Sequence, residues 1–150
     1  MGHYLGKGFY NIISCLDNRI TLIHDNTLMR KFFFDCKELL RENGTLVLSL
    51  YNYNKFNNSN QELPTKESMR TKLFTNITCQ PDGQWFFNQS VETGNGKILQ
   101  VFSKEKFYPL KPEEIIKFSK EAGFTEINFY SSFDKSPFTG SEDNILVVLK

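Results

Sequence analysis

Tyr10-Asn11-Ile12-Ile13-Ser14-Cys15-Leu16 and Thr45-Leu46-Val47-Leu48-Ser49-Leu50-Tyr51 are the two stretches that decide the fold of this chain. The first is a short apolar run rich in β-branched residues, the pattern of a strand buried on both faces in a parallel sheet. Between the two, Asp25 can cap a helix in which Leu28, Phe32, Leu39 and Leu40 recur at helical spacing. Asn43-Gly44 then offers a left-handed stop. Strand, helix and strand over residues 10–51 predict a right-handed parallel crossover unit.

Outward from this unit the pattern changes. Residues 52–69 are polar and Asn-rich, with Asn57-Asn58-Ser59-Asn60 at their centre, and predict a loop that could serve as an active-site lid. Within 70–108 lie three β-rich segments, Arg70–Cys79, Gln84–Glu92 and Lys97–Tyr108, separated by the turn sequences Pro81-Asp82-Gly83 and Gly94-Asn95-Gly96. They predict an antiparallel insertion. Over 110–150, Pro112 with Glu113 and Glu114 opens a helix whose Ile115, Ile116, Phe118 and Ala122 face inward, and Gly123 stops it. Strands at Phe124–Tyr130 and Asn144–Leu149 close the chain, and no internal repeat interrupts this order.

Composition narrows the function classes. The chain has 150 residues, 39% of them apolar and 23% charged, which suits one globular domain. No apolar stretch approaches the ~18 residues of a membrane span, so a membrane partner is not expected. The run Met1-Gly2-His3-Tyr4-Leu5-Gly6-Lys7-Gly8 has no apolar h-region and no small-residue cleavage site, which predicts a cytoplasmic protein. Cys15, Cys36 and Cys79 are far apart and odd in number, a poor fit to a disulfide framework or a metal cluster. Asn-x-Ser/Thr triplets at Asn43, Asn57, Asn76 and Asn88 follow from the Asn content. With a net charge of +1 and interspersed signs, nothing drives the chain toward phosphate backbones, so nucleic acid is not an expected partner.

The order of elements and three local sequences resemble the class I S-adenosylmethionine-dependent methyltransferases, in particular the glycine/sarcosine N-methyltransferase group. Tyr10-Asn11-Ile12-Ile13-Ser14-Cys15-Leu16-Asp17-Asn18 is similar to that family's fourth strand, which ends in Gly-Asn. Leu50-Tyr51-Asn52-Tyr53-Asn54 resembles the Asn-Tyr-Asp segment after its fifth strand. Leu110-Lys111-Pro112-Glu113-Glu114 with Glu121-Ala122-Gly123-Phe124 resembles its late helix and the strand approach that follows. The resemblance implies the C-terminal part of an α/β, Rossmann-like sheet of parallel strands with a final antiparallel strand, plus an antiparallel β insertion. It implies S-adenosylmethionine as cofactor and a small-molecule methyl acceptor as substrate. The family's Gly-rich loop after the first strand and its ribose-binding acid have no counterpart here. Gly6-Lys7-Gly8 precedes a strand instead of following one and does not fit that role. The competing expectation is a non-catalytic methyltransferase-like fragment or interaction module.

In an open parallel sheet ligands bind at the carboxyl ends of the strands. That rule selects Leu16, Asp17, Asn18 and Arg19 after one strand, and Asn52 and Tyr53 after the next. The resemblance makes Leu16, Asp17 and Asn18 candidates for cofactor contact, and Asn18, Arg19, Asn52 and Tyr53 candidates for substrate contact. Asn18 leads, since an amide both donates and accepts; the structural alternative is a turn-forming Asn. Asp17 stands where the family has Gly. Tyr51 stands where glycine methyltransferases carry an arginine, and a phenol offers no charged bidentate donor for a carboxylate, which disfavours glycine as acceptor. His24 is the candidate general base, against the alternative of a histidine that merely precedes a helix. Phe32, Phe33 and Phe34 cannot share one helix face, and Trp85, Phe86 and Phe87 read as strand core or substrate cover. In the family the outer neighbour of strand 10–16 is the first strand. Its absence predicts an exposed apolar edge there, open to self-association or to a partner chain.

Overall fold

A computed structural model describes residues 6–56 and 60–150. Its elements are β1 (Tyr10–Cys15), α1 (Asn26–Leu39), β2 (Leu40–Tyr51), β3 (Gln61–Glu62), β4 (Lys66–Glu67), β5 (Thr71–Cys79), β6 (Trp85–Thr93), β7 (Ile98–Lys106), α2 (Pro112–Ala122), β8 (Ile127–Tyr130) and β9 (Asn144–Leu149). Short 3-10 turns lie at Arg19–Leu22 and Tyr53–Lys55. Contacts divide the chain into two units, Met1–Lys55 with Pro109–Lys150, and Phe56–Tyr108.

The first unit holds a sheet of order β1-β2-β9-β8. β1 and β2 are parallel, and β9 is antiparallel to both β2 and β8, so β1, β2 and β8 share one direction. Leu46, Leu48 and Leu50 alternate along β2 and stand in register with Leu149, Val147 and Ile145 of β9. All six are buried, which gives the sheet one continuous apolar face. Burying one such side chain contributes about 1.5–3 kcal/mol.

α1 starts where Asp25 accepts a hydrogen bond from the Leu28 N–H at 2.9 Å. Its buried stripe is Met29, Phe33, Cys36 and Leu39. Phe33 meets Phe118 of α2 with ring centroids 5.9 Å apart, and Arg30 pairs with Glu121 at 3.1 Å beside them. α2 begins at Pro112, where the Glu114 carboxylate accepts from the Lys111 N–H at 3.1 Å, and ends at Gly123 with φ +91°.

The second unit is an antiparallel sheet of order β3-β5-β6-β7, with β4 also paired to β5. The two turns form at the expected residues, with Gly83 and Gly96 at φ +80° and +76°. Ile77, Trp85, Phe87 and Phe107 are buried, and Trp85 packs edge-on against Phe107 at 5.9 Å.

Several expectations are corrected in detail. β1 is an edge strand among the described residues, so Asn11, Ile12 and Ser14 are exposed instead of buried on both faces. Leu28 is exposed and Phe32 half-buried, because α1 turns its Met29–Phe33 stripe inward. The helix ends at Leu39 without a left-handed stop, and β2 begins at Leu40. Asn43 does adopt φ +62°, but inside β2, where the pairing with β1 slips between Tyr10 and Ile12. Gly44 is needed there: a Cβ would stand 3.0 Å from the Tyr10 carbonyl oxygen and 2.9 Å from that of Arg41. The stretch 52–69 carries β3 and β4 as well as loop, and its residues 57–59 lie outside the described residues, as do residues 1–5 of the N-terminal run. The strand after α2 starts at Ile127, while Phe124 is buried ahead of it.

Candidate functional site

β1 and β2 end side by side, and the residues that follow them are tied together. Asp17 and Asn18 are both left-handed, with φ +55° and +61°, a conformation that Asp and Asn reach more easily than other side chains. The tight turn points both backbone N–H groups at β2. The Asp17 N–H donates to Ser49 Oγ at 2.9 Å, and the Asn18 N–H donates to the Ser49 carbonyl at 2.9 Å. Ser49 is thereby the anchor of the whole turn.

The Asn18 side chain then reaches across. Its Oδ1 accepts from the Tyr51 N–H at 2.6 Å and, at 3.5 Å, from the Tyr53 hydroxyl. The Asn18 carbonyl accepts from the Thr21 N–H at 3.0 Å and from Thr21 Oγ1 at 2.6 Å. Two donors converging on Oδ1 fix the amide's orientation and turn Nδ2 away from them. Among the described residues Nδ2 has no acceptor. Tyr53 is buried, and burial pushes its phenol well above the ordinary range, partly offset by a hydrogen bond with Thr21. Tyr53 is therefore a neutral donor at any physiological pH.

The remaining candidates are placed differently. Asn52 is buried, and its side chain is directed into the segment before β9. Its Nδ2 donates to the carbonyls of Gly140 and Glu142 at 2.9 and 3.0 Å, while Oδ1 accepts from the Asn54 N–H at 3.3 Å. Lys55 fixes the same segment by bonding the Ser141 carbonyl at 3.0 Å and pairing with Asp143. Leu16 is partly exposed at the end of β1, and Arg19 is exposed at the start of the 3-10 turn. His24 is exposed between that turn and the helix cap Asp25. The structure thus brings Asn18 and Tyr53 together, directs the Asn52 side chain toward residues 140–142, and leaves His24 outside the hydrogen-bonded cluster.

Sequence reasoning did not single out Ser49 and Thr21, which orient Asn18. The spacing Asn18-x-x-Thr21 was the available signal, since a hydroxyl three residues on can close a turn onto the preceding carbonyl. Ser49 gave none, because its role exists only once β2 lies beside β1. Among the described residues no group of His, Cys, Asp and Glu is placed to hold a metal ion.

The fold recurs in solved structures. The CcbJ methyltransferase from Streptomyces caelestis is 17% identical with a TM-score of 0.76, over 97% of this chain and 59% of that one. An S-adenosylmethionine-dependent methyltransferase from Clostridium acetobutylicum is 16% identical with a TM-score of 0.73, over 95% of this chain and 58% of that one. This is a class I methyltransferase fold. CalS10, an amino pentose methyltransferase from Micromonospora echinaspora, shares the methyltransferase fold at 15% identity and a TM-score of 0.60, over 97% of this chain and 60% of that one. The chain thus spans about six-tenths of the length of the methyltransferase-fold structures it matches. No protein-family model matches it, nor does any curated protein sequence.

Proposed function

We propose that the chain is the acceptor-side part of an S-adenosylmethionine-dependent methyltransferase that acts on a small molecule. The observation that carries this reading is the convergence of the β1 and β2 ends on Asn18, whose Oδ1 is held by Tyr51 and Tyr53 while Nδ2 has no acceptor among the described residues. A fixed amide donor at the carboxyl-end rim of a sheet of this fold is where a ligand oxygen would be recognised. The likeness to glycine/sarcosine N-methyltransferases is a finer part of the same proposal, with Tyr51 arguing for an acceptor other than glycine.

S-adenosylmethionine fits the rim in part. When bound, it supplies an activated sulfonium methyl to an acceptor lone pair. Leu16 and Asn18 would offer it an apolar contact and a donor, and Asp17 an exposed carboxylate compatible with a cation. Arg19 would meet an anionic group on the acceptor. Tyr53 acts by orienting Asn18, and Asn52 by fixing the segment 140–142 that precedes β9. His24 is proposed as the base that frees the acceptor lone pair.

The greater part of the cofactor contacts is proposed to come from strands that would add to β1, supplied by an upstream segment or another chain. β1 carries no charge and no proline, and Ile12 is 65% exposed on it, so it lacks two of the devices that protect natural edges. A cytoplasmic setting belongs to this reading and suits the three free cysteines.

The test is amide-resolved NMR of the chain titrated with S-adenosylhomocysteine and with small amines. Shifts confined to 16–19 and 51–53, at weak affinity, are expected. Saturation at micromolar S-adenosylhomocysteine would overturn the assignment of the cofactor half to other strands. Absence of any rim shift with millimolar ligand would overturn the site itself.

A further inference from the structure

Two asparagines in the chain are followed by glycine, in Asn43-Gly44 and Asn95-Gly96. An asparagine side chain is most readily attacked by the next backbone nitrogen when that residue is glycine, which has no side chain to crowd the approach. The structure sets the two pairs apart. Gly44 is buried in β2 beside β1, with the Tyr10 and Arg41 carbonyl oxygens 3.0 and 2.9 Å from where a Cβ would stand. Swinging its nitrogen toward the Asn43 side chain would part the two strands. Asn95 and Gly96 are exposed in the turn between β6 and β7, and beyond its chain neighbours nothing stands within 4 Å of a Cβ placed on Gly96.

We propose that Asn95 is a site of spontaneous deamidation, promoted by the Thr93 hydroxyl and with water as the only co-reactant. The Asn95 side chain is already folded over the turn. Its Oδ1 accepts from Thr93 Oγ1 at 2.5 Å and from the Lys97 N–H at 3.3 Å. Thr93 Oγ1 also lies 3.0 Å from the Lys97 carbonyl oxygen, the longer of its two contacts. Both donors meet the oxygen on which negative charge gathers when the amide carbon is attacked, so the turn carries a small oxyanion site of its own. The nucleophile is the Gly96 nitrogen, whose N–H donates to the Thr93 carbonyl at 2.8 Å. That bond has to open first, which costs little in an exposed turn.

The step balances without oxidant or reductant. The Gly96 nitrogen forms a bond to Asn95 Cγ, the Cγ–Nδ2 bond breaks, and the proton of the attacking nitrogen leaves with Nδ2 as ammonia. Water then opens the resulting cyclic imide. Opening at Cγ gives aspartate. Opening at the Asn95 main-chain carbonyl gives isoaspartate, in which the chain runs through Cγ and is one methylene longer. Either product carries a carboxylate, which cancels the chain's net charge of +1. A chain at zero net charge associates more readily. The longer isoaspartate turn also no longer matches the pairing of Glu92 with Ile98 that it closes.

Incubation of the full chain at neutral pH, folded and in guanidinium chloride, followed by peptide mapping with mass spectrometry, tests this. In the folded chain Asn95 should convert at least about tenfold faster than Asn43, and in denaturant the two rates should converge. Thr93→Val should slow Asn95 at least about threefold and leave Asn43 unchanged. Because Thr93→Val could disturb the hairpin, Thr93→Ser provides the second arm: it keeps the hydroxyl and should keep the rate. A smaller ratio between the two sites in the folded chain would overturn the proposal, as would an Asn95 that reacts more slowly folded than in denaturant. So would a Thr93→Val chain that reacts as fast as the parent, or a Thr93→Ser chain as slow as Thr93→Val. None of these outcomes bears on the rim at Asn18, so this inference and the proposed function stand or fall separately.

Discussion

Asn18→Ala should destabilise the first unit by about 2–5 kcal/mol, and the structure divides that figure into two parts. The first is the Tyr51 N–H, which donates to Asn18 Oδ1 at 2.6 Å beside buried Tyr53. Stranding a part-buried donor costs about 1–3 kcal/mol. The second is the backbone: Asn18 has φ +61°, where a side chain without a local hydrogen bond is about 1–2 kcal/mol worse than in its ordinary region. Two further substitutions separate the parts. Asn18→Gly relieves the backbone and keeps only the first loss, about 1–3 kcal/mol. Asn18→Asp keeps an acceptor for Tyr51 and removes only the Nδ2 donor, so stability at pH 7 should stay within about 1 kcal/mol of the parent. Urea unfolding followed by circular dichroism measures all three. If Asn18→Ala lost less than about 0.5 kcal/mol, the clamp between the two strand ends would be energetically idle and the reasoning refuted. The same series isolates function: Asn18→Asp should abolish the ligand-induced shifts at 16–19 while leaving the fold intact.

Other expectations follow from single positions. Gly44→Ala should cost about 1–3 kcal/mol, because the neighbours its Cβ would strike include the backbone oxygens of Tyr10 and Arg41; an unchanged melting curve would refute the close approach. Asn43→Val should cost about 1–2 kcal/mol and Asn43→Gly almost nothing, since φ is +62°; equal effects of the two in thermal unfolding would contradict the left-handed bulge. The Cys36 thiol is pushed up to about 12 by burial, with smaller contributions from Cys15 and Asp35, against 9.0 for a free thiol. The folded state therefore holds this proton more tightly than the unfolded one. The resulting stabilisation is complete below pH 9, is lost as the pH rises toward 12, and should appear as a falling denaturation midpoint. Alkylation of Cys36 at pH 8 should proceed only on unfolding, and rapid labelling of the native protein would refute its burial.

The sequence announced the elements better than it announced their faces and ends. β1, β9 and both helix starts were legible because local chemistry sets them: an apolar run, Asp25 as a cap, Pro112 with Glu114 as a first turn. The inward face of α1 was not, because Leu28 and Met29, and Phe32 and Phe33, offer two apolar stripes one residue out of phase. Contact with Phe118 chooses between them, and that contact lies outside the helix. The start of β2 was hidden for a related reason: Leu40 and Asn43-Gly44 read as the end of the helix until β1 lies alongside and makes Arg41–Asn43 a bulge in β2. At the rim, the position of Asn18 after a strand was readable, whereas its supports Ser49 and Thr21 belong to tertiary proximity. Asn52 shows the converse, a residue placed correctly at a strand end whose side chain turns to carbonyls at 140 and 142 that no local pattern reveals.

Of the four strands in the first unit's sheet, the one that comes last in the sequence is an inner strand. β9 is flanked by β2 and β8, and the edge of β2 away from β1 has no cross-strand partner until residues 144–149 arrive. During synthesis, then, Leu46, Leu48 and Leu50 must wait through the whole of the second unit and α2 before their β9 partners Leu149, Val147 and Ile145 leave the ribosome. The unit Phe56–Tyr108, with only local strand pairings, can complete its sheet first. Folding order should therefore run against sequence order, the middle of the chain settling before its beginning. A stalled nascent chain ending near residue 140 should protect β5–β7 from proteolysis while leaving β2 open to cleavage.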